Sequence, residues 1–384
     1  MFQTSYIELS ETAVKNNIDF IHNFIGEDVT FSSVVKGNAY GHGIANYCPI
    51  AYKYGVRHFS VFSAQEAFNV SAALPNHEQA VMIMGQIENE ELEWAIEHNI
   101  EFYVFEADRL EHAIGIAKKM NKKALIHVEL ETGMNRTGFP QKGLPEVLKS
   151  IENNLQCLEV KGVCTHLAGA ESIANYKRIK DQLNRFKRYQ LKLKDTPWNT
   201  AKKHIASSSA TMRYTNSQLD MVRIGILQFG FFPTEEIFVH YCAKKKTSID
   251  PMKRILSWKA SVMDTKTVKA GEFIGYGTSY LTNQTSKIAL IPIGYSFGYS
   301  RSLSNQGKVL INGGRFDVVG TVNMSMLAVN ITSDPAIKKG DEVVLIGSQG
   351  DQELSVSSFS DFSQLINYEL LTRLPQDIPR IITK

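Results

Sequence analysis

The stretch Thr30-Phe31-Ser32-Ser33-Val34-Val35-Lys36-Gly37-Asn38-Ala39-Tyr40-Gly41-His42-Gly43 runs largely apolar up to a lysine, then breaks into a glycine-rich turn. A short run of this kind, bounded by glycine, reads as a strand that ends at Lys36. Similar runs recur at residues 58–62, 80–84, 101–104, 124–128, 158–164, 203–206 and 221–226, with helical segments such as 88–99 and 108–119 between them. Ahead of the first strand, Ser10 is placed to cap a helix whose Val14, Ile18, Ile21 and Ile25 form one apolar face. Strand followed by helix, repeated eight times, reads as an α/β fold of the (β/α)8 TIM-barrel type. A doubly wound open sheet is the architectural alternative.

Beyond about residue 240 the alternation stops. Runs at 255–263, 287–293, 308–312, 316–319 and 342–346 are strand-like, and Asn312-Gly313-Gly314 is a hairpin signal between two of them. One helix is expected at 362–374. The organisation predicted is a barrel over residues 8–238 and a second, β-rich C-terminal domain over 239–384, with 241–253 as linker. Residues 1–7 are a candidate to pair with the second domain.

The chain has 384 residues, 43% of them hydrophobic, which suits two ordinary globular domains. A net charge of +3 is too small to argue for nucleic acid or an anionic membrane surface. No run reaches the roughly 18 apolar residues of a membrane helix, and the N-terminus lacks the basic-then-apolar pattern of a secretory signal. Cys48, Cys157, Cys164 and Cys242 are scattered, with no Cys-x-x-Cys, as expected for reduced thiols in a cytoplasmic protein. The ten histidines show no metal-ligand spacing, so no metal is expected.

Barrel enzymes carry their chemistry at the C-terminal ends of the strands. There the first run offers Lys36 and Tyr40, and the fifth offers Glu129, Glu131 and Thr132-Gly133-Met134-Asn135-Arg136. The sixth offers Thr165-His166, the seventh Ser207, Ser208 and Ser209, and the eighth Arg223-Ile224-Gly225-Ile226. A lysine at the mouth of a pocket loses hydration and with it part of its preference for the charged form. Its amine can then attack a carbonyl and hold it covalently, as pyridoxal-phosphate enzymes hold their cofactor. Taken singly, Lys36 reads as a solvated lysine, the serines as a helix cap, His166 as a structural histidine and Arg136 as half of a surface ion pair. Their convergence on one rim favours a site. Barrels also bind phosphate at the loops after strands seven and eight, where this chain has its serine cluster and Gly225.

These residues resemble those of the alanine racemase family, pyridoxal-phosphate proteins with a barrel and a β-rich second domain. The resemblance covers nearly the whole chain. Val34-Val35-Lys36 through Gly43 is similar to the family's cofactor-lysine signature, and Glu131-Thr132-Gly133-Met134-Asn135-Arg136-Thr137-Gly138-Phe139 to its Thr-Gly-Met-x-Arg-x-Gly stretch. Val222-Arg223-Ile224-Gly225-Ile226 resembles the segment bearing the pyridine-contacting arginine, and Gly275-Tyr276-Gly277-Thr278-Ser279-Tyr280 the segment of the catalytic tyrosine. Ile291-Pro292-Ile293-Gly294-Tyr295 and Ile366-Asn367-Tyr368-Glu369 are similar to further family segments.

The resemblance implies that Lys36 holds pyridoxal 5'-phosphate and acts as one base, with Tyr276 of the partner subunit as the other. It implies that Arg223 meets the pyridine nitrogen, that His166 links Tyr276 to Arg223, and that Arg136 contacts the phenolic oxygen. Tyr40, Ser208, Gly225, Ile226 and Tyr368 would surround the phosphate, while Arg136 and Met324 would lie near the substrate. It also implies a homodimer with shared sites, alanine as substrate and a role in D-alanine supply to the cell wall. Two bases suit racemisation, because a proton must leave one face of the α-carbon and return to the other. An arginine at the ring, which gives up no proton, would leave less charge in the ring than a carboxylate would and so disfavour transamination.

Departures from the family pattern bear on substrate preference. Glu129 stands where many members carry a carbamylated lysine, and Glu131 where aspartate is usual. Thr321 and Ser325 replace the usual Arg and Asp around Met324, Ser296-Phe297 replaces Ala-Asp, Ile224 replaces Pro, and Phe229 replaces Tyr. Competing expectations are a broader amino-acid racemase acting also on serine, a pyridoxal-phosphate decarboxylase of related architecture, and a non-catalytic pyridoxal-phosphate-binding protein.

Overall fold

Eight short strands hydrogen-bond side by side in one of the two units into which the chain divides, Val14–Lys36 with Tyr47–Lys253. The other unit is Met1–Ala13, Gly37–Asn46 and Arg254–Lys384. The computed structural model describes residues 4–74, 78–194, 196–356 and 367–384.

In the first unit the strands are β2 (Thr30–Val34), β3 (His58–Val61), β4 (Ala80–Ile83), β5 (Glu101–Val104), β6 (Ala124–Glu129), β7 (Leu158–Cys164), β8 (Lys202–His204) and β9 (Met221–Ile224); β1 belongs to the other unit. All pair in parallel in the order β8-β7-β6-β5-β4-β3-β2-β9. The ring closes where Ser207 bridges Arg223 and the Arg223 N–H donates to the Ala206 carbonyl at 2.9 Å. The eight strands expected from the sequence are therefore those of a (β/α)8 barrel, and the open-sheet alternative is excluded by that closure. Ser10 accepts from the Ala13 N–H at 3.2 Å at the start of the helix Glu11–Ile25, whose Val14, Ile18, Ile21 and Ile25 are buried.

β6 and β7 slip register by one residue, so that Ile126 faces Val160 and His127 faces Gly162. Such a bulge re-aims side chains. Here it sets a residue without a side chain opposite an imidazole. A Cβ at position 162 would stand 2.2 Å from His127 Nδ1 and 2.8 Å from His204 Nε2.

The second unit is built on β1 (Ser5–Ser10), β10 (Leu256–Ser261), β11 (Asp264–Val268), β12 (Ser286–Ile291), β13 (Lys308–Ile311), β14 (Gly314–Val319), β15 (Leu327–Asn330), β16 (Glu342–Gln349), β17 (Gln352–Leu354) and β18 (Arg380–Thr383). One sheet runs β11-β12-β15-β14-β13-β16-β10-β1-β18, with β17 added on β16. Its pairs are antiparallel except β1 with β18. Asn312 and Gly313, with φ of 51° and 79°, make the two-residue turn between β13 and β14, as their sequence signals.

The division differs from the predicted boundaries. It falls between Lys253 and Arg254 rather than at 238/239, and residues 8–13 go with the sheet. Residues 241–245 of the expected linker are helix: Glu235–Lys245 starts at Thr234, whose side chain accepts from the Ile237 N–H, and ends on Lys244 and Lys245. Lysines at a helix C-terminus are stabilised by its dipole, which is why that run is not a linker signal. β1 joins the sheet because Ile7 and Leu9 bury fully while pairing with Trp258 and Leu256. Of the helix expected at 362–374, Asn367–Thr372 is helical, and residues 357–366 lie outside the described residues, as do residues 1–3.

We predict that Gly162→Ala destabilises the protein by about 1–3 kcal/mol, as overpacking of a full interior does. Urea unfolding of the variant measures it, and an unshifted midpoint would contradict the packing described.

Candidate active site

β2 delivers Lys36 to the C-terminal mouth of the barrel, and the backbone then turns left-handed. Gly37, Asn38, Ala39 and Tyr40 have φ of 63°, 52°, 54° and 51°. Three of these carry a Cβ, and each costs roughly 1–2 kcal/mol in that conformation. Hydrogen bonds within the second unit hold the turn. Gly41 N–H donates to Gly37 O, Gly43 N–H to Asn38 O, and Ile44 N–H to Asn38 Oδ1, each at 2.9 Å. His42 Nδ1–H donates to Ala39 O at 2.9 Å, and Arg380 Nη2 to Gly41 O at 2.9 Å. Gly41, with φ of 81°, packs so closely on the helix Asn367–Thr372 that a Cβ would lie 1.9 Å from Leu371 O. That packing sets the Tyr40 ring edge-on to Tyr368, centroids 6.2 Å apart.

Lys36 is open to solvent, yet the protein around its amine strips enough hydration to lower its pKa, and Arg136 and Arg223 lower it further while Glu66 opposes them. His166 is pushed down to about 3, first by burial and then by Arg223, Arg136 and Lys36. The barrel mouth is therefore a field of excess positive charge. Glu129 sits in it, buried, its pKa raised by desolvation against the pull of Thr137, Arg223 and Arg136.

Arg223, on β9, is 5% exposed. Its Nη1 donates to His204 Nδ1 at 2.7 Å and to His204 O at 2.8 Å, and its Nη2 to Thr165 O at 2.9 Å. His166 Nδ1 lies 3.4 Å from Nη2. Ser208 Oγ accepts from the Gly225 N–H at 2.9 Å, which ties the loop after β8 to the loop after β9. Ile226 is buried at the start of the next turn. Thus Lys36, Arg136, His166, Arg223, Ser208, Gly225 and Glu129 gather on the barrel rim.

In the second unit, Tyr276 is 76% and Met324 59% exposed. Thr321 joins their loops, its hydroxyl 3.4 Å from Tyr276 O and 3.2 Å from Ser279 Oγ. Ser296 Oγ donates to Met324 O at 2.6 Å, and Gly294 lies against that loop, where a Cβ would meet Asn323 O at 2.1 Å. Phe229 is fully buried against Tyr47, ring centroids 4.8 Å apart.

Sequence reading missed a second group. His58, Glu101 and His127 place one ligand-type atom each within 4.8 Å of the others, all buried, with His204 hydrogen-bonded to His127. No spacing rule could find them, because they start, sit within or end four different strands; only their polarity inside strand runs was a signal.

The barrel fold and the cationic rim around the Lys36 amine define a class of barrel enzyme suited to an anionic carbonyl cofactor. The family model for "Alanine racemase, N-terminal domain" matches residues 9–233, and that for "Alanine racemase, C-terminal domain" matches 255–382. An alanine racemase of Leptospira interrogans is 30% identical over 384 residues, covering 99% of this chain and 96% of its own. One from Methanococcus maripaludis is 32% identical, covering 98% of each. Among solved structures, the Bacillus anthracis alanine racemase with bound L-Ala-P superposes with a TM-score of 0.90 at 30% identity, covering 100% of this chain and 96% of its own. The Bartonella henselae alanine racemase, with covalently bound pyridoxal phosphate, gives 0.85 at 28% identity and full coverage of both chains. The chain belongs to the alanine racemase family.

Stability should depend on pH through the histidines of this region. His42 is fully buried and pushed down to about 4 by desolvation, against the pull of its bonds to Ala39 O and Tyr40 O. An unfolded histidine titrates near 6.5. Between about pH 6.5 and 4 the unfolded chain therefore binds more protons than the native one, so stability rises with pH across that window and is lost on acidification. We predict a fall in urea midpoint from pH 7 to pH 5 that is shallower in His42→Gln; parallel slopes would refute this.

Proposed function

We propose that the chain interconverts L- and D-alanine as a homodimer carrying pyridoxal 5'-phosphate on Lys36, with Tyr276 of the partner subunit as the second base. The observation that carries the reading is Lys36 itself: a strand-end amine with a lowered pKa among Arg136, Arg223 and His166, in a chain of this family. The donor set fits a phosphorylated cofactor, because the cations at the rim call for an anion. We assign Ser208, Gly225, Ile226, Tyr40 and Tyr368 to the phosphate, Arg223 to the ring nitrogen and Arg136 to the phenolic oxygen.

When bound, the cofactor supplies an electron-withdrawing ring that makes the α-proton of an attached amino acid removable. Lys36, its amine already poorly hydrated, takes or returns that proton on one face. Tyr276 of the partner subunit serves the other face; a phenolate there needs a nearby cation, which we assign to Arg223 acting through His166. The 3.4 Å approach of His166 Nδ1 to Arg223 supports one half of that link. Glu129, beside Arg136, supplies the negative charge that many relatives draw from a modified lysine. Arg223 at the ring speaks against a decarboxylase, which would have an acidic residue there.

The exposed side chains of Tyr276, Tyr295, Met324 and Met326 on one set of loops support burial against a second subunit. The four free thiols support a reducing cytoplasmic location, and D-alanine for the cell wall is the product we assign. Among the described residues no helix is long and apolar enough to cross a membrane. Thr321 and Ser325 near Met324 favour, as a second reading, a range that extends to serine.

Purified protein should be yellow, lose that colour on borohydride treatment with label on Lys36, and convert D-alanine to L-alanine. A colourless, inactive preparation supplied with the cofactor would end the reading. Mixing inactive Lys36→Ala and Tyr276→Ala chains should restore activity through mixed dimers with one intact site; no recovery despite verified subunit exchange would argue for a self-contained site. Arg223→Glu should slow racemisation and raise side transamination, and an unchanged rate and product ratio would remove Arg223 from the ring.

A further inference from the structure

A hydrogen-bonded line crosses the barrel interior, and its proton order follows from donor chemistry alone. Arginine has no acceptor, so His204 Nδ1, 2.7 Å from Arg223 Nη1, presents its lone pair. His204 then carries its proton on Nε2 and donates to His127 Nδ1 at 2.8 Å. His127 in turn carries its proton on Nε2 and donates to Glu101 Oε2 at 2.7 Å. The same oxygen meets His58 Nε2 at 3.2 Å, and His58 Nδ1 meets Ser32 Oγ at 2.8 Å, with Ser60 beyond it. Glu101, His127 and His204 are 6%, 1% and 0% exposed. His127 and His204 both have pKa values lowered first by burial. Glu101 has its own lowered, because desolvation is outweighed by its hydrogen bonds to His127 and His58.

We propose that Glu101, His127 and His204 are positioning residues for Arg223: the carboxylate sets the tautomer of His127, His127 sets that of His204, and His204 fixes the guanidinium. This rests on the reading above that Arg223 meets the cofactor ring. Two features were arranged for it independently of the bonds themselves. The β6–β7 bulge brings Gly162, which lacks a side chain, to the place where the two imidazoles meet. The His58–Ser32 branch holds Glu101 from its far side. A metal ion among His58, Glu101 and His127 is disfavoured by the same logic. It would need the Nε2 lone pair of His127, moving that proton to Nδ1 and setting it against the Nε2–H of His204.

The test is holoenzyme labelled with 15N-histidine, in wild type and Glu101→Leu, which removes the acceptor that a glutamine amide would keep. The wild type should show His127 and His204 neutral, each protonated on Nε2, with no titration from pH 6 to 9. In Glu101→Leu the two rings should lose that single tautomer, and kcat for alanine should fall roughly ten- to a hundredfold, the scale of lost outer-layer support around a catalytic group, with KM little changed. Either ring protonated on Nδ1 in the wild type overturns the proposal. So does Glu101→Leu with unchanged ring states, whatever its rate, or with altered ring states and an unchanged kcat. If Glu101→Leu fails to fold, His127→Phe severs the line while leaving Glu101 its His58 partner, and must both set His204 titrating and lower kcat. A wild type without racemase activity would overturn the function reading instead, and the ring states would still decide the network.

Discussion

A guanidinium buried inside a barrel needs acceptors for its N–H groups, and much of this structure answers to that demand. An unmet buried charge costs several kcal/mol, and removing one partner of a buried charge network typically costs about 3–5 kcal/mol. Arg223 is met by His204 Nδ1, the His204 carbonyl and the Thr165 carbonyl. The first of these is an acceptor only while the imidazole stays neutral. That requirement passes along His127 to the carboxylate of Glu101, the one group in the line able to hold a negative charge. The barrel interior is therefore polar across part of its section, where such barrels more often stack branched aliphatic layers. Beside it packs a soft cluster of Met82, Tyr103, Cys164 and Met221.

The second constraint is steric. The chain leaves β2 at Val34 and, immediately after Lys36, adopts four successive left-handed residues. Backbone strain of this kind persists only where the surroundings over-determine it, and it clusters at functional positions. The surroundings are the loop's own hydrogen bonds, Arg380 and the helix Asn367–Thr372, all in the second unit. Lys36 thus ends one segment of the barrel unit, and the left-handed turn after it opens a segment of the other.

How much was legible varied with the physics. Most of the barrel strands were visible because parallel strands covered on both faces are largely apolar runs; β8, Lys202–His204, is short and polar, and the run read there, 203–206, starts one residue later. β11 was not, because Asp264–Val268 is a polar, mostly exposed edge strand. β17 and β18 are short and half exposed for the same reason. Of the candidate site, the rim positions of Lys36, Arg136, His166, Ser208, Arg223 and Gly225 were readable because strand ends locate a barrel's rim. His58, Glu101, His127 and His204 were not: the pairs that touch are separated by 43, 26 and 77 residues, and no local pattern links them.

By itself the sequence determined the architecture and which residues stand on the barrel rim, since hydrophobic periodicity and glycine placement are local properties that survive without a fold. What only the tertiary structure decided was proton order and charge. Which histidines are neutral, which nitrogen carries the hydrogen and why Lys36 binds its proton less tightly all depend on groups brought close by barrel closure and stripped of water. Hydration and distance are properties of the folded chain.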